Sequence, residues 1–193
     1  MRIISGTYRG LTIRTLKGDR LRPTSDQLRE TLFDVLGPGV RGARFLDAYA
    51  GSGAVGLEAL SRGASEVVFV EHHRTGRELI QKNLASLGIE SGFEVIGSSA
   101  LAALERLEGA GATFDFVFLD PPYQDIAEYH RVLRQLARSP RSGRGAPLLR
   151  PEGVVIAEHS RRTLLEETYG RLHRTRLIRH GDSQLAFFRP SKE

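Results

Sequence analysis

The chain has 193 residues, 40% of them hydrophobic, and a formal net charge of +5 at pH 7. This length favours one globular domain with a small appendage. The absence of cysteine excludes a disulfide framework and a thiol nucleophile, and the six histidines lack metal-ligand spacing, so we expect no metal site. We also expect a cytoplasmic protein, because neither an apolar run of about 20 residues nor the apolar core of a secretory signal is present.

Positive charge is concentrated in two stretches of the sequence. Residues 1–44 contain nine Lys and Arg against four Asp and Glu, and residues 129–151 contain six arginines and no acid. Basic clusters of this kind favour a polyanionic partner such as a nucleic acid. A solvated, arginine-rich surface explains the same counts, so charge alone leaves both interpretations open.

The N-terminal part predicts a small β-hairpin followed by a helix. The runs "RIIS" and "LTIRT" are β-prone and lie on either side of a glycine-bearing turn. Thr24 and Gln27 then fit a capping box, and apolar residues recur at helical spacing until "GP" ends the helix. We therefore treat residues 1–40 as an N-terminal extension and residues 41–193 as the main domain.

From residue 44 onward, predicted strands alternate with predicted helices. The strands are 44–48, 66–71, 93–97, 114–120 and 154–159. The helices are 54–62, 74–87, 98–108, 125–138 and 161–168. Such alternation indicates right-handed β-α-β units and therefore an α/β fold with a mostly parallel sheet. The closing "LHRTRLIRHGDSQLAFFR" predicts an antiparallel hairpin, and 139–150 predicts a basic loop.

A glycine-rich turn connects the first of these strands to its helix. Gly51, Gly53 and Gly56 match G-x-G-x-x-G, a pattern that lets a ligand approach the backbone at the start of a helix. Glu71 lies twenty residues after Gly51, where an acid can accept the hydroxyls of a ribose. On these residues alone, a nicotinamide-dependent dehydrogenase is one interpretation.

The carboxylate of Asp47, just before the turn, favours a different ligand. It would repel the pyrophosphate of a dinucleotide, whereas a cationic ligand without phosphate tolerates it. S-adenosylmethionine has that character, since it combines a sulfonium, an ammonium and an adenosine. Ser99 and Ala100 follow the third strand and are expected near the adenine, where serine is only a weak acceptor and the backbone must contribute more.

The stretch "FLDPPYQD" raises the question of why a strand should end in a rigid, acidic elbow. The prolines fix the backbone, so the Asp120 carboxylate and the Pro121 carbonyl can hold the two N–H bonds of an exocyclic base amine. Pro122 stiffens the turn, and Tyr123 offers a face on which the base can stack. Because the carboxyl ends of parallel strands share one edge, we expect the elbow and the donor to meet in one pocket. The alternative is a simple strand-ending turn.

Together these motifs carry a resemblance to a known family. "DPPY" with "LDAYAGSGAVGLEALSRGA" resembles the class I amino-methyltransferases. The opening "MRIISGTYRGLTIRTLKGDRLRPTSDQLRETLFDVL" is similar to the bacterial 16S rRNA guanine-N2 methyltransferases named for guanine 966. The similarity extends from Met1 to "HGDSQLAFFR". It implies a Rossmann-like class I fold with a mostly parallel seven-stranded sheet, an antiparallel C-terminal hairpin and a small N-terminal β-hairpin.

The resemblance also implies an activity. It is methylation of the N2 amine of a guanine in 16S rRNA, within the small subunit or an assembly intermediate, with S-adenosylmethionine as donor and S-adenosylhomocysteine as product. The protein is expected to act as a monomer. Arg22, Pro23 and Thr24 are expected to close over the donor or the substrate. Arg9 and Arg14 are expected to contact RNA.

The complete set of expected donor contacts is Asp47, Ala48, Gly51, Ser52, Gly53, Gly56, Glu71, His72, Ser99, Ala100 and Thr24. Two features depart from the family: Ser99 replaces the more usual Asn or Asp, and the 138–150 loop is longer and more basic. Two other functions stay open at this point. One is a DNA amino-methyltransferase that uses the same elbow, although so short a chain leaves little room for a sequence-reading domain. The other is a non-catalytic RNA-binding assembly module.

Overall fold

The computed structural model describes residues 1–15, 25–122, 125–138 and 147–191, and the chain divides into two compact units, Met1–Ser98 and Ser99–Glu193. The helices in these ranges are α1 (Asp26–Leu36), α2 (Ala54–Ser61), α3 (Arg74–Ser86), α4 (Ala100–Gly109) and α5 (Ile126–Leu136), with a short 3-10 turn at Gly37–Val40. The strands are β1 (Arg44–Asp47), β2 (Glu66–Val70), β3 (Phe93–Ile96), β4 (Phe114–Leu119), β5 (Leu149–Ser160), β6 (Thr168–Tyr169), β7 (Leu172–His180) and β8 (Ser183–Pro190).

The strands of the described ranges form one sheet in the order β3-β2-β1-β4-β5-β8-β7-β6. Parallel pairing joins β1 to β2, β2 to β3 and β4 to β5. Antiparallel pairing joins β5 to β8, β8 to β7 and β7 to β6. The α/β fold with its antiparallel C-terminal hairpin is therefore confirmed. The sheet has eight strands rather than seven, because the two-residue β6 adds an edge.

The N-terminal hairpin is held by very few backbone pairs. Arg2 and Thr12 form an antiparallel bridge, and the Ile3 N–H donates to the Leu11 carbonyl at 3.0 Å. Ile3 and Ile13 are buried, so apolar contact also holds the hairpin against the rest of the first unit.

Helix α1 forms where the apolar spacing predicts it, but its cap differs from the prediction. The N-cap is Ser25, whose Oγ accepts from the Leu28 N–H at 3.1 Å, so the cap lies one residue later than predicted and the capping box of Thr24 and Gln27 is wrong. Thr24 itself lies outside the described residues. At the other end, Gly37 adopts φ 58° and stops the helix. Serine and threonine are both favourable N-cap residues, so the sequence pattern did not decide between the adjacent positions.

The predicted helix at 161–168 is also wrong. In its place the chain turns after β5, with the Thr163 N–H donating to the Ser160 carbonyl at 2.9 Å, and then enters β6. Tyr169 determines this outcome, because it is buried in the sheet while its hydroxyl accepts from the Glu166 N–H at 3.0 Å. Strand β5 starts at Leu149, earlier than predicted, so part of the supposed basic loop is strand.

Among the residues that the structure describes, no helix combines the length and the apolar composition needed to cross a bilayer.

Candidate active site

Asp47 ends β1 and is almost completely buried, with 1% of its surface exposed. Its Oδ2 accepts from the Gly56 N–H at 3.1 Å, whereas its Oδ1 has no hydrogen-bond partner among the described residues. Burial raises the pKa of Asp47 to about 7; backbone hydrogen bonds from Gly56 and Tyr49 oppose the shift, and the charge of Glu71 adds to it. A cationic or N–H-donating ligand at Oδ1 would supply the missing partner and favour the carboxylate.

Glu71 follows β2 and is also buried. Its Oε2 accepts from the Gly51 N–H at 2.9 Å, and its Oε1 accepts from the His73 N–H at 2.7 Å. These bonds hold the carboxylate in one orientation. Since each carboxylate oxygen can accept two hydrogen bonds, one acceptor position on each remains for a ligand hydroxyl.

The turn between the two acids depends on glycine at two predicted positions. Gly51 and Gly53 have φ values of 54° and 82°, and Gly53 is the N-cap of α2. Gly53 has no side chain to cap this helix, and Asp47 already accepts from the Gly56 N–H, so only the first-turn N–H groups before Gly56 can serve a ligand. Gly56 instead lies under an aromatic ring: a Cβ there would come within 2.2 Å of Phe69 Cε1.

Gly76 is a site residue that the sequence reasoning missed. A Cβ on Gly76 would lie 2.6 Å from Glu71 Cγ and 3.1 Å from the Gly51 carbonyl oxygen. Gly76 therefore packs directly against the Glu71 side chain and the backbone of the turn, and no side chain fits at this position. The sequence offered one signal for Gly76, namely a glycine inside a predicted helix. Because glycine destabilises a helix, a glycine at such a position usually serves packing or function.

The remaining expected donor residues of the first unit differ in exposure. Ala48 and Ser52 are buried, whereas His72 is exposed, with its Nδ1 3.8 Å from Glu71 Oε1. Glu71, His72 and His73 each bring one possible ligand atom within 4.8 Å of the others. Each Glu71 oxygen accepts one backbone hydrogen bond. The expected absence of a metal stays a prediction.

Ser99 and Ala100 begin the second unit. Ser99 is the N-cap of α4, and its Oγ accepts from the Ala102 N–H at 3.4 Å. Ala100 is buried in the first turn of the helix. The Ser99 hydroxyl therefore has a capping role that the sequence pattern did not reveal, and its expected contact with adenine stays a prediction.

The elbow after β4 is contacted on its protein side by the hydroxyl of Tyr129. The Tyr129 hydroxyl lies 2.7 Å from the Glu158 carbonyl oxygen and 3.3 Å from that of Pro121, so its proton serves mainly the former. Pro121 is buried, Pro122 is exposed, and Asp120 is partly buried. Tyr123 lies outside the described residues. Tyr129 was not predicted, because only the fold brings residue 129 to residues 121 and 158.

Two buried side chains of α2 attach the N-terminal segment. Glu58 accepts from the Ile4 and Ser5 N–H groups at 2.8 and 3.0 Å, and Ser61 Oγ accepts from the Tyr8 N–H at 3.0 Å. Neither was predicted from the sequence, which showed only residues on a helix.

The expected RNA contacts of this segment are accessible. The side chains of Arg9 and Arg14 are exposed, whereas Arg22 and Pro23 lie outside the described residues.

The α/β sheet, with acids at the ends of its first two strands and a glycine turn between them, places this protein among the class I methyltransferases in fold. Residues 1–189 match the family model described as "Conserved hypothetical protein 95", and the chain belongs to this family.

Relatives of known name and structure agree with this assignment. The chain is 44% identical over 130 residues to the ribosomal RNA small subunit methyltransferase D of Haemophilus influenzae, covering 66% of this chain and 67% of the relative. It is 33% identical to YlbH of Bacillus subtilis, provisionally named an rRNA methyltransferase, over 98% of both chains. Among solved structures, yhhF of Escherichia coli, provisionally named a methyltransferase, is similar with a TM-score of 0.81 and 31% identity, over 100% of this chain and 99% of the other.

Proposed function

We propose that this protein transfers a methyl group from S-adenosylmethionine to the exocyclic N2 amine of a guanine in small-subunit ribosomal RNA. The observation that carries the proposal is the pair of buried carboxylates around the glycine turn. Asp47 offers an unpartnered oxygen, and Glu71 offers two remaining acceptor positions. This set of acceptors suits a ligand that combines a cationic amino acid with a ribose.

The residues in and around the turn would each bind a different part of the donor. Asp47 would hold the cationic end, because ion pairing restores the charge that burial disfavours. Glu71 would accept the ribose hydroxyls, and the backbone of Gly51 and Gly53 would allow close approach. When bound, the donor supplies an activated methyl group on its sulfonium. Its product is the neutral thioether S-adenosylhomocysteine.

The elbow would orient the accepting amine. Asp120 and the Pro121 carbonyl would accept the two N–H bonds of guanine N2, and Tyr123 would stack on the flipped base. The Tyr129 hydroxyl contacts the Pro121 carbonyl from the protein side, at 3.3 Å. As the N–C bond forms and the S–C bond breaks, positive charge develops on the nitrogen beside the Asp120 carboxylate, which stabilises it. The methylated nitrogen would be cationic and therefore acidic, so it would release one proton to water, and no strong general base is required.

The choice of ribosomal RNA as substrate rests on the names of the relatives and on charge. Two of the relatives reported above are named for rRNA methylation. Arg9 and Arg14 are exposed on a segment attached to the methyltransferase core, where they can reach phosphates. We further propose that the protein works as a cytoplasmic monomer without metal, on the small subunit or an assembly intermediate.

A methyl-transfer assay tests the proposal directly. Purified protein is incubated with methyl-labelled donor and either small subunits from cells lacking this activity or duplex DNA. We expect label in the rRNA, and mass spectrometry of its nucleosides should identify N2-methylguanosine. Label in DNA alone would replace the proposal with a DNA amino-methyltransferase. Donor binding without transfer to either substrate would favour the non-catalytic RNA-binding module.

The RNA contacts have their own test. Replacing Arg9 and Arg14 together by alanine should weaken RNA binding and reduce the slope of log affinity against log salt by about 1.5, because each phosphate contact contributes roughly 0.7–0.9. Arg44→Ala is the control, since Arg44 opens β1 and pairs with Glu66 at 2.9 Å. An unchanged salt slope in the double variant would remove both arginines from the interface.

A further inference from the structure

Asn83 is a completely buried amide in α3 that the proposed chemistry does not use. Its Oδ1 accepts from the Arg14 N–H at 2.8 Å. Its Nδ2 donates to the Arg14 carbonyl at 2.9 Å and to the Ser52 carbonyl at 3.0 Å. One side chain thus joins the N-terminal segment to the middle of the glycine turn.

The orientation of this amide is determined by its partners. Two of them are carbonyl oxygens, which need N–H donors, and the third is a backbone N–H, which needs an acceptor. Asparagine meets all three requirements. Aspartate in the same place would turn carboxylate oxygens toward two carbonyls, and leucine would leave three buried backbone groups without partners. The position therefore requires the specific chemistry of an amide.

We infer that Asn83 is a positioning residue that couples donor binding at the glycine turn to the placement of Arg14. The inference rests on the proposed function, in which the turn holds the donor and Arg14 contacts rRNA. Ser52 lies between Gly51, whose N–H binds Glu71, and Gly53, which starts α2. A donor that orders this turn also orders the Ser52 carbonyl, and through Asn83 the backbone at Arg14. By linkage, RNA bound at Arg14 raises the affinity for the donor by the same factor.

Within the described ranges, Ser61 differs from Asn83 because it binds the N-terminal segment without binding the glycine turn. Ser61 also binds this segment through a buried hydroxyl, which accepts from the Tyr8 N–H and donates to the Ser5 carbonyl at 2.5 Å. Among the residues that the structure describes, Ser61 makes no hydrogen bond to the turn, so losing it weakens attachment of the segment without breaking the link to Ser52.

The experiment measures amide hydrogen exchange by NMR, with and without saturating S-adenosylhomocysteine, in the full-length protein. In the wild type, the ligand should slow exchange of the Arg14 N–H about fivefold or more, since coupling between sites is typically roughly 5–150-fold. In Asn83→Ala the ligand should still protect Gly51 and Gly53, but its effect on Arg14 should fall to about 1-fold, because the pathway through the amide is removed.

Two further variants separate coupling from general stability. Asn83→Asp can keep the acceptor for the Arg14 N–H but loses the bond to Ser52, so we expect it to lose the ligand effect at Arg14 as well. Ser61→Ala should lower the melting temperature yet keep the ligand effect at Arg14.

Three outcomes would overturn the inference. The first is no slowing at Arg14 in a wild-type protein that binds the ligand, which decides the question even if the Asn83 variants do not fold. The second is equal slowing in an Asn83 variant. The third is loss of the effect in Ser61→Ala, which would make it a matter of stability. Failure of the wild type to bind S-adenosylhomocysteine would instead refute the proposed function, and the inference with it.

Discussion

The glycine turn of the first unit and the proline elbow of the second both follow a strand that leads to an aspartate, yet they are built in opposite ways. At the turn, side-chain carboxylates accept from backbone N–H groups, and Asp47 and Glu71 are nearly inaccessible to water. At the elbow, backbone carbonyls are contacted by a side-chain hydroxyl, that of Tyr129, and Asp120 is only partly buried. Buried charge suits a cationic ligand, whereas fixed neutral carbonyls beside an accessible acid suit an amine.

This contrast predicts separable phenotypes. Changes at the turn should alter the affinity for the donor, and changes at the elbow should alter turnover while leaving that affinity unchanged. Each of the following substitutions tests one side of this separation, from the largest expected effect to the smallest.

Asp120→Ala should reduce the rate of methyl transfer by about 10²–10³-fold, the usual cost of removing one group that stabilises developing charge. The affinity for S-adenosylhomocysteine, measured by calorimetry, should stay within about twofold of the wild type. Asp115→Ala is the matched control, because Asp115 lies on the same strand but pairs with Arg150 at 2.8 Å. Unchanged turnover in Asp120→Ala would exclude this carboxylate from the mechanism.

Gly76→Ala changes the turn and should therefore alter the affinity for the donor. The added methyl would collide with the Glu71 side chain and the Gly51 carbonyl, which is expected to cost about 1–3 kcal/mol of stability. Displacing Glu71 should also weaken donor binding about tenfold, equivalent to roughly 1.4 kcal/mol.

Gly109→Ala is the control for this glycine. Gly109 is likewise helical with an ordinary φ, but a Cβ there meets nothing within 4 Å, so the change should leave stability equal or slightly higher. Normal donor affinity in Gly76→Ala would show that position 76 tolerates a methyl group and that its packing does not fix the position of Glu71.

The raised pKa of Asp47 predicts that donor affinity depends on pH. Only the ionised carboxylate attracts a cationic ligand, and with a pKa of about 7 Asp47 is mostly protonated at pH 6 and ionised at pH 8. The affinity should therefore rise up to about tenfold between these values and then level off, as calorimetry across the range would show. Asp47→Asn should bind the donor weakly at every pH. An equally steep pH dependence in that variant would assign the titration to another group.

The same shift makes an opposite prediction for the unliganded protein. Because the pKa in the folded protein lies above the ordinary value of 3.8 for an aspartate, Asp47 favours the folded state fully below about pH 4, and this contribution is lost as pH rises through about 7. Asp47→Asn should therefore raise the melting temperature at pH 8 while lowering donor affinity. Such an exchange of stability for binding is typical of functional sites.

The sequence predicted those parts of the site whose signal is local. A strand that ends in an acid, a glycine pattern and a pair of prolines each lie within a few consecutive residues, and the structure places Asp47, the turn and Glu71 together as expected. The helix predicted at 161–168 failed because helix-forming side chains there are overridden by the burial of Tyr169 in the sheet.

The supporting residues could not be predicted, because their partners are far away in sequence. Asn83 binds residues 69 and 31 positions earlier, Glu58 binds backbone 53 and 54 positions earlier, and Tyr129 contacts a carbonyl 29 positions later. Nothing in the neighbourhood of these residues distinguishes them from ordinary helix positions. Only the fold shows which buried polar side chain holds which segment of backbone.

Tyr129→Phe should have the smallest effect and separates support of the elbow from its chemistry. Losing the hydroxyl leaves the Glu158 carbonyl without its donor and removes the longer contact to the Pro121 carbonyl, at a cost of about 1–3 kcal/mol in stability for a buried group. A less firmly held Pro121 carbonyl should lower turnover about three- to tenfold, since small misplacements of orienting groups reduce rates. Donor affinity should not change.

Tyr169→Phe removes another buried hydroxyl of the same unit, bound to Glu166 and His130, and should lower stability but not turnover. Equal turnover in both variants would mean that the elbow keeps its shape without Tyr129, and that the prolines alone fix it.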